Sequence, residues 1–262
     1  MDVIKIKQPD QDYFTREAYK TLRANFLFSG PEKKVIDVTS CSENEGKSTV
    51  SMQLAISLAQ SGKRTLLIDA DMRKSVLVGR TGVSGKQIKG LAHALSGQCD
   101  GVDVVYATDI PNFFMIYSGP FPPNPTELLG GKIFHSMLDS LRKVFDYIII
   151  DTPPLGSVID SAVIAGHCDG SILVIAAEEV SRRFAMDVKD QLERANCPIL
   201  GCVLNKASQE NERYGRYGRY GRYGKYGRYG KYYGHYGYYA ASDDSKDSGK
   251  TKGEKAKKRK KK

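Results

Sequence analysis

Residues 35–49, Val-Ile-Asp-Val-Thr-Ser-Cys-Ser-Glu-Asn-Glu-Gly-Lys-Ser-Thr, constrain this chain more than any other stretch. A short apolar run leads into a tight polar loop, and the loop enters a helix at Gly46-Lys47-Ser48-Thr49. That order is the signature of a phosphate-binding loop. Free backbone N–H groups at the helix start face an anion, and the helix dipole adds about half a positive charge there. Lys47 can reach the outer phosphates and the Ser48 hydroxyl can ligate Mg²⁺. Cys41 stands where the pattern usually has its first glycine. Its thiol reads either as a redox-sensitive group or as a small packed side chain.

Two further strand ends supply carboxylates. Arg64–Ile68 is apolar after its first residues and runs into Asp69-Ala70-Asp71-Met72-Arg73, and Tyr147–Ile150 runs into Asp151-Thr152-Pro153-Pro154. In an open parallel sheet, ligands bind beyond the carboxyl ends of the strands. Three strands would then present Lys47 and Ser48, Asp69 and Asp71, and Asp151 to one crevice, where Mg²⁺ seeks hard oxygen ligands. Each Asp could instead cap a following helix or turn. Three of them, each closing an apolar strand beside a phosphate loop, favour the metal reading.

Strand and helix patterns alternate through residue 206. Residues 1–12 read as polar and extended, and Phe14–Phe28 as a helix with Glu17, Lys20 and Arg23 near one face. That face is either solvated and internally paired or a contact with a neighbouring subunit. A helix over Lys47–Ser61 buries Val50, Met52, Leu54, Ala55, Leu58 and Ala59 and stops at Gly62. Residues 74–101 read as loop with a short helix near Leu91–Leu95, and Val102–Tyr106 and Phe113–Tyr117 as strands. A proline-rich turn opens one helix to about Val144, capped by Asn124 or Thr126. Ile159–Gly166 reads as a helix, Ser171–Ala177 as a strand, Ser181–Arg194 as a capped helix and Ile199–Leu204 as the last strand. Continuously apolar strands between helices predict an α/β fold, a mostly parallel central sheet with helices on both faces.

The charge is uneven. From residue 207 on, 17 Lys and Arg face 6 Asp and Glu, a net of +11, while residues 1–206 carry 23 against 24, a net of −1. The folded part is therefore no general polyanion binder. Five cysteines without a Cys-x-x-Cys pair argue against a disulfide framework or zinc site and fit a reducing compartment. No signal-peptide core opens the sequence and no run reaches the ~20 apolar residues of a membrane span.

From Arg213 a three-residue Arg/Lys-Tyr-Gly period begins. Eleven of the 16 tyrosines lie there: Tyr214, Tyr217, Tyr220, Tyr223, Tyr226, Tyr229, Tyr232, Tyr233, Tyr236, Tyr238 and Tyr239. Without aliphatic residues the segment has no core, which predicts a disordered tail over 207–262. Tyrosine–basic repeats can stack on single-stranded nucleic acid. Alternatively, they form a phosphoacceptor array, each phosphate adding about −1.5 to −2 charge. A merely solubilising tail is the third reading, and its polybasic end suits an anionic membrane surface.

The set Gly46–Thr49, Asp69-Ala70-Asp71-Met72-Arg73, Asp151-Thr152-Pro153-Pro154 and a terminal tyrosine cluster resembles the bacterial tyrosine kinases, specifically the separate cytoplasmic kinase subunit of Gram-positive capsule and exopolysaccharide systems. Glu17–Arg23 and Gly119–Leu129 fit the same family. The resemblance implies a P-loop NTPase related to MinD and ParA, with a kinase domain over 1–206, an oligomerisation helix at about 14–28 and a phosphoacceptor tail. It implies ATP and Mg²⁺, with Ser48, Asp71 and Asp151 on the metal and Lys47 and Thr49 on the phosphates. Cys41, Asn44, Glu45 and Gly46 complete the loop, Asn205 lies near the adenine, and Asp69 acts as base with Lys47 and Arg73 in the catalytic group. Glu17, Lys20 and Arg23 match a Glu-x-x-Arg-x-x-Arg oligomerisation motif in which Lys20 replaces the first Arg and lacks its bidentate fork. Implied partners are a transmembrane activator or chain-length-determinant protein that recruits the kinase to the inner membrane face, a homo-oligomeric ring and a tyrosine phosphatase. Two other functions stay open on the residues: a MinD/ParA-like ATPase switch, which usually carries an extra lysine that residues 41–45 lack, and nucleic-acid binding through the tail.

Overall fold

The computed structural model describes residues 3–6, 11–83 and 88–207. Within them lies a seven-stranded sheet of order β3-β4-β2-β5-β1-β6-β7. The strands are β1 (Val35–Ser40), β2 (Thr65–Asp69), β3 (Tyr106–Ala107), β4 (Phe113–Ile116), β5 (Tyr147–Asp151), β6 (Gly170–Ala176) and β7 (Ile199–Asn205). All neighbours pair in parallel except the short edge strand β3, which is antiparallel to β4. β1, β2 and β5 are buried along their whole length, as central strands covered on both faces must be.

Helix α1 (Tyr13–Leu27) and helix α2 (Lys47–Gln60) cover one face, packing around Ile36, Val38, Leu67 and Ile149. α3 (Leu77–Arg80) adds Leu77 to the same layer. The other face holds α4 (Leu91–Leu95), α5 (Pro125–Leu129), α6 (Lys132–Leu141) and α7 (Asp160–Ala165), around Val35, Leu66, Ile68 and Ile150. α8 (Arg182–Arg194) completes that side around Leu173 and Val188. α2 is buried on every side, including Ser51, Gln53 and Ser57, because α1 lies across its outer face. Arg23 fastens the two helices by donating to the Ser57 carbonyl at 2.7 Å.

Several local expectations change. Residues near the N-terminus are not merely polar and extended: Ile4 and Ile6 are buried, and Ile4 bridges to Thr108. Val102–Tyr106 is not one strand, since Gly101–Val104 forms a 3-10 turn before β3. The single helix expected up to Val144 breaks at Gly130-Gly131 into α5 and α6, and a short helix, α3, forms within the expected loop. Neither Asn124 nor Thr126 caps α5 with its side chain; the Thr126 hydroxyl donates instead to Asp160. Ser181 does cap α8, accepting from the Phe184 N–H. The expected tail disorder concerns residues outside the described ones.

Candidate active site

Register brings the carboxylates together. β5 lies between β1 and β2, so Asp151 aligns with Val38 on one side and Asp69 on the other. The Ala70 N–H donates to the Asp151 carbonyl at 2.8 Å, which holds the β2 exit against the β5 exit. Lys47, the first residue of α2, then points into the same space. Its Nζ lies 3.1 Å from Asp71 Oδ2 and 4.0 Å from Asp151 Oδ1. Ser51, one turn further along α2, donates to Asp151 Oδ1 at 3.1 Å.

The electrostatics follow from burial. Burial pulls the Lys47 ammonium down, but Asp151 and Asp71 outweigh it and hold its pKa above the ordinary value. Burial raises Asp151 despite Lys47 nearby. Burial, and then the Asp151 charge, push Asp69 to about 7, against a hydrogen bond from Ser75. Asp69 Oδ1 is buried and accepts no hydrogen bond among the described residues. An orphaned buried acceptor costs about 1–3 kcal/mol unless a ligand or proton satisfies it.

The loop itself uses two left-handed backbone positions, Asn44 at φ 64° and Gly46 at φ 91°. Asparagine is one of the few non-glycine residues that tolerates this region, which suits it to position 44. Glu45 is not turned toward the cleft. Its buried carboxylate accepts from the Ser42 N–H and, at 2.9 Å, from the Ala176 N–H, tying the loop to the end of β6. Asn205 donates to the Glu45 carbonyl at 2.8 Å and so closes the loop from β7. Cys41 is fully buried beside Leu155 and Leu173, and burial pushes its thiol to about 12, as a packed rather than a redox-active group requires.

One cleft is lined by Asn44, Gly46, Lys47, Ser48, Asp71 and Arg73, together with Pro153, Pro154 and Ser157. Arg73 is held there rather than free: its Nε donates to Asp160 Oδ2 at 2.7 Å and its Nη2 to Asp160 Oδ1 at 3.2 Å. Cys41, Glu45, Thr49 and Asn205 do not line the cleft, and neither do Asp69 and Asp151, which lie buried beneath it; the Thr49 hydroxyl accepts from Arg80. Glu17 and Lys20 pair with each other at 2.7 Å on α1, while Arg23 is bound to Ser57, so within one chain all three have internal partners. The tail tyrosines lie outside the described residues. Sequence reasoning missed Lys74 and Arg80, which also line the cleft. Lys74 directly follows the Asp69–Arg73 motif, a signal that was available; Arg80 sits on the unforeseen α3 and had none.

Buried carboxylates, a hydroxyl at the helix start, a lysine between them and one unsatisfied carboxylate oxygen fit a hard divalent cation with phosphate oxygens. Fold and cleft together define a P-loop nucleotide-binding protein. A family model described as an AAA domain matches residues 33–192. The structure of a MinD septum-site-determining protein complexed with Mg-ADP, from Pyrococcus horikoshii, superimposes with a TM-score of 0.57 at 25% identity, covering 67% of this chain and 72% of that one. The kinase domain of Escherichia coli tyrosine kinase ETK superimposes with a TM-score of 0.67 at 30% identity, covering 74% of this chain and 78% of that one. Tyrosine-protein kinase CpsD of Streptococcus agalactiae serotype Ia is 48% identical over 201 residues, which cover 77% of this chain and 86% of the relative. The chain belongs to the bacterial tyrosine-protein kinases. No helix among the described residues is long and apolar enough to cross a membrane.

Proposed function

We propose that this kinase uses ATP and Mg²⁺ to phosphorylate the tyrosine cluster 214–239 of a neighbouring copy, and that this cycle regulates capsular or exopolysaccharide synthesis and export. The observation that carries the reading is Asp69: a buried carboxylate held near pKa 7, with one unpartnered oxygen, beside the Lys47–Asp71–Asp151 group. A base poised near neutral pH suits proton removal from a tyrosine of pKa about 10. As the phenolic oxygen bonds to the γ-phosphorus, its proton passes to Asp69 and the bond to the β–γ bridging oxygen breaks, releasing ADP. Lys47 and the loop N–H groups orient the phosphates, and Thr49 would support them from the first turn of α2 once its hydroxyl leaves Arg80. Ser48, Asp71 and Asp151 would hold Mg²⁺, which supplies charge neutralisation at the phosphates. Arg73, fixed by Asp160, places a guanidinium at the cleft, and Asn205 serves the adenine side while bracing the loop.

Assembly into a ring through Glu17, Lys20 and Arg23 would bring a neighbour's tail to this cleft. The internal Glu17–Lys20 pair would have to open for that contact. Phosphates added to the tail would replace its positive balance with negative charge and favour disassembly, with a phosphatase resetting the cycle. A membrane-anchored activator would recruit the kinase to the inner face of the membrane. A pure ATPase switch is not favoured at 48% identity to a tyrosine kinase. Incubation of the full chain with Mg·ATP and a membrane activator segment, followed by mass spectrometry, tests the proposal. Phosphate on Tyr214–Tyr239 that vanishes in Lys47→Met and falls steeply in Asp69→Asn is expected. ATP hydrolysis without tyrosine modification would overturn it.

A further inference from the structure

Outside the cleft, two histidines meet. His135 sits on α6 and His167 follows α7, and their Nδ1 atoms lie 3.3 Å apart. The rings are 5.2 Å apart between centroids and tilted by 50°, so they do not stack. Phe134 meets His167 edge-on, with 6.2 Å between ring centroids. On the far side of His135, Nε2 lies 3.5 Å from Asp139 Oδ2, one helical turn along α6. None of these residues lines the nucleotide cleft.

We propose that His135 and His167 form a surface site for a borderline divalent transition metal such as Zn²⁺, with Asp139 as the outer partner of His135. Two Zn–N bonds of about 2.0–2.1 Å meeting at a tetrahedral angle span roughly 3.3–3.4 Å, which is the separation of the two Nδ1 atoms. Imidazole nitrogens select such ions over Mg²⁺, which prefers oxygen. A metal-bound histidine characteristically offers its other N–H to a carboxylate, and Asp139, 3.5 Å from His135 Nε2, is the carboxylate on that side. Among the described residues no group of three or more His, Cys, Asp or Glu side chains is placed to hold a metal ion. The two nitrogens therefore bind the ion with water in its remaining positions, which sets an affinity well below that of a structural zinc.

Without metal, one Nδ1 carries the hydrogen that the other accepts. Metal binding requires lone pairs on both, so both rings become Nε2–H tautomers and His135 donates that hydrogen to Asp139. The bound ion joins α6 to the turn after α7. That helix begins at Asp160, the residue that grips Arg73.

The test is calorimetric titration of Zn²⁺ into the full chain carrying Cys99→Ser and Cys202→Ser, which removes two accessible thiols that would compete. One saturable site of micromolar affinity is expected. It should weaken at least tenfold in His135→Gln and in His167→Gln, and about tenfold in Asp139→Asn. Nitrogen-detected histidine spectra should show both rings moving to the Nε2–H form. Unchanged affinity in the double His→Gln variant, or unchanged imidazole spectra at saturation, would overturn the site and leave a simple histidine–histidine hydrogen bond.

Discussion

Asn205 lies directly over Gly46: a Cβ built on that glycine would sit 2.1 Å from the Asn205 side-chain nitrogen, at a backbone φ of +91°. The last strand of the sheet thus closes the loop that opens α2. Gly46→Ala faces two separate penalties, the left-handed backbone and the overlap. The backbone term alone is about 1–3 kcal/mol. Urea unfolding should show a loss of at least that size, and adding Asn205→Ala should recover only the overlap part. Full recovery in the double variant would mean that the backbone conformation is unstrained for alanine.

Lys47 is the only cation placed within 4.0 Å of both Asp71 and Asp151 among the described residues. Removing it leaves buried carboxylates facing one another. Lys47→Met should therefore abolish tyrosine phosphorylation by a factor of 100 or more, on the order of 3 kcal/mol in the barrier. The folded protein should survive, because protonation can relieve the repulsion among the carboxylates. Single-turnover phosphotransfer with radiolabelled ATP checks the first outcome, and a retained circular dichroism spectrum the second.

Arg73 and Asp160 make a two-point ion pair in which the carboxylate is 1% exposed and the guanidinium 36%. Lysine cannot reproduce the fork. Arg73→Lys should cost up to about 1.5–3 kcal/mol of stability, the range for hydrogen bonds to charged groups, and lower phosphotransfer as well. Asp160→Asn should resemble it in stability and leave Arg73 mobile in the cleft. A double-mutant cycle showing no coupling between the two positions would contradict this.

The strands that build the site were readable because two are apolar runs that end in Asp69 and Asp151, and the third, apolar but for Asp37 in its first four residues, leads to the Gly46–Thr49 signature. What stayed hidden depends on distance or on short elements. The Arg73–Asp160 pair spans 87 positions and has no local signal. Glu45 reads as part of the nucleotide-binding loop, yet its carboxylate is committed to Ser42 and Ala176, and only the placement of β6 beside β1 reveals that. The break at Gly130-Gly131 was written in the sequence, but the helical pattern on both sides masked it. A Cβ on Gly130 would press to 3.2 Å from Val163 of α7, so close packing there favours glycine.

Asp37 gives the last prediction. It lies at the centre of β1, fully buried, and accepts from Thr152 at 2.8 Å, Ser171 at 3.0 Å and Ser161 at 3.3 Å. Burial outweighs these hydroxyls and pushes its pKa from 3.8 to about 7. The folded state therefore holds a proton that the unfolded chain releases. The stability from this group is complete below about pH 4 and is lost as pH rises through about 7. Asp69 acts in the same direction over the same window. Asp151, also raised by burial, acts in the same direction, and Asp37→Asn removes only the Asp37 contribution while keeping the side-chain shape. Between pH 5 and 8 the wild-type chain should lose more stability than the variant, by an amount on the order of a few kcal/mol. The variant should be the more stable of the two at pH 8. His167 titrates in both proteins, so its effect cancels in the comparison. Parallel stability curves for the two proteins across that range, measured by urea unfolding, would show that Asp37 is ionised throughout and that the three hydroxyls, not burial, govern it.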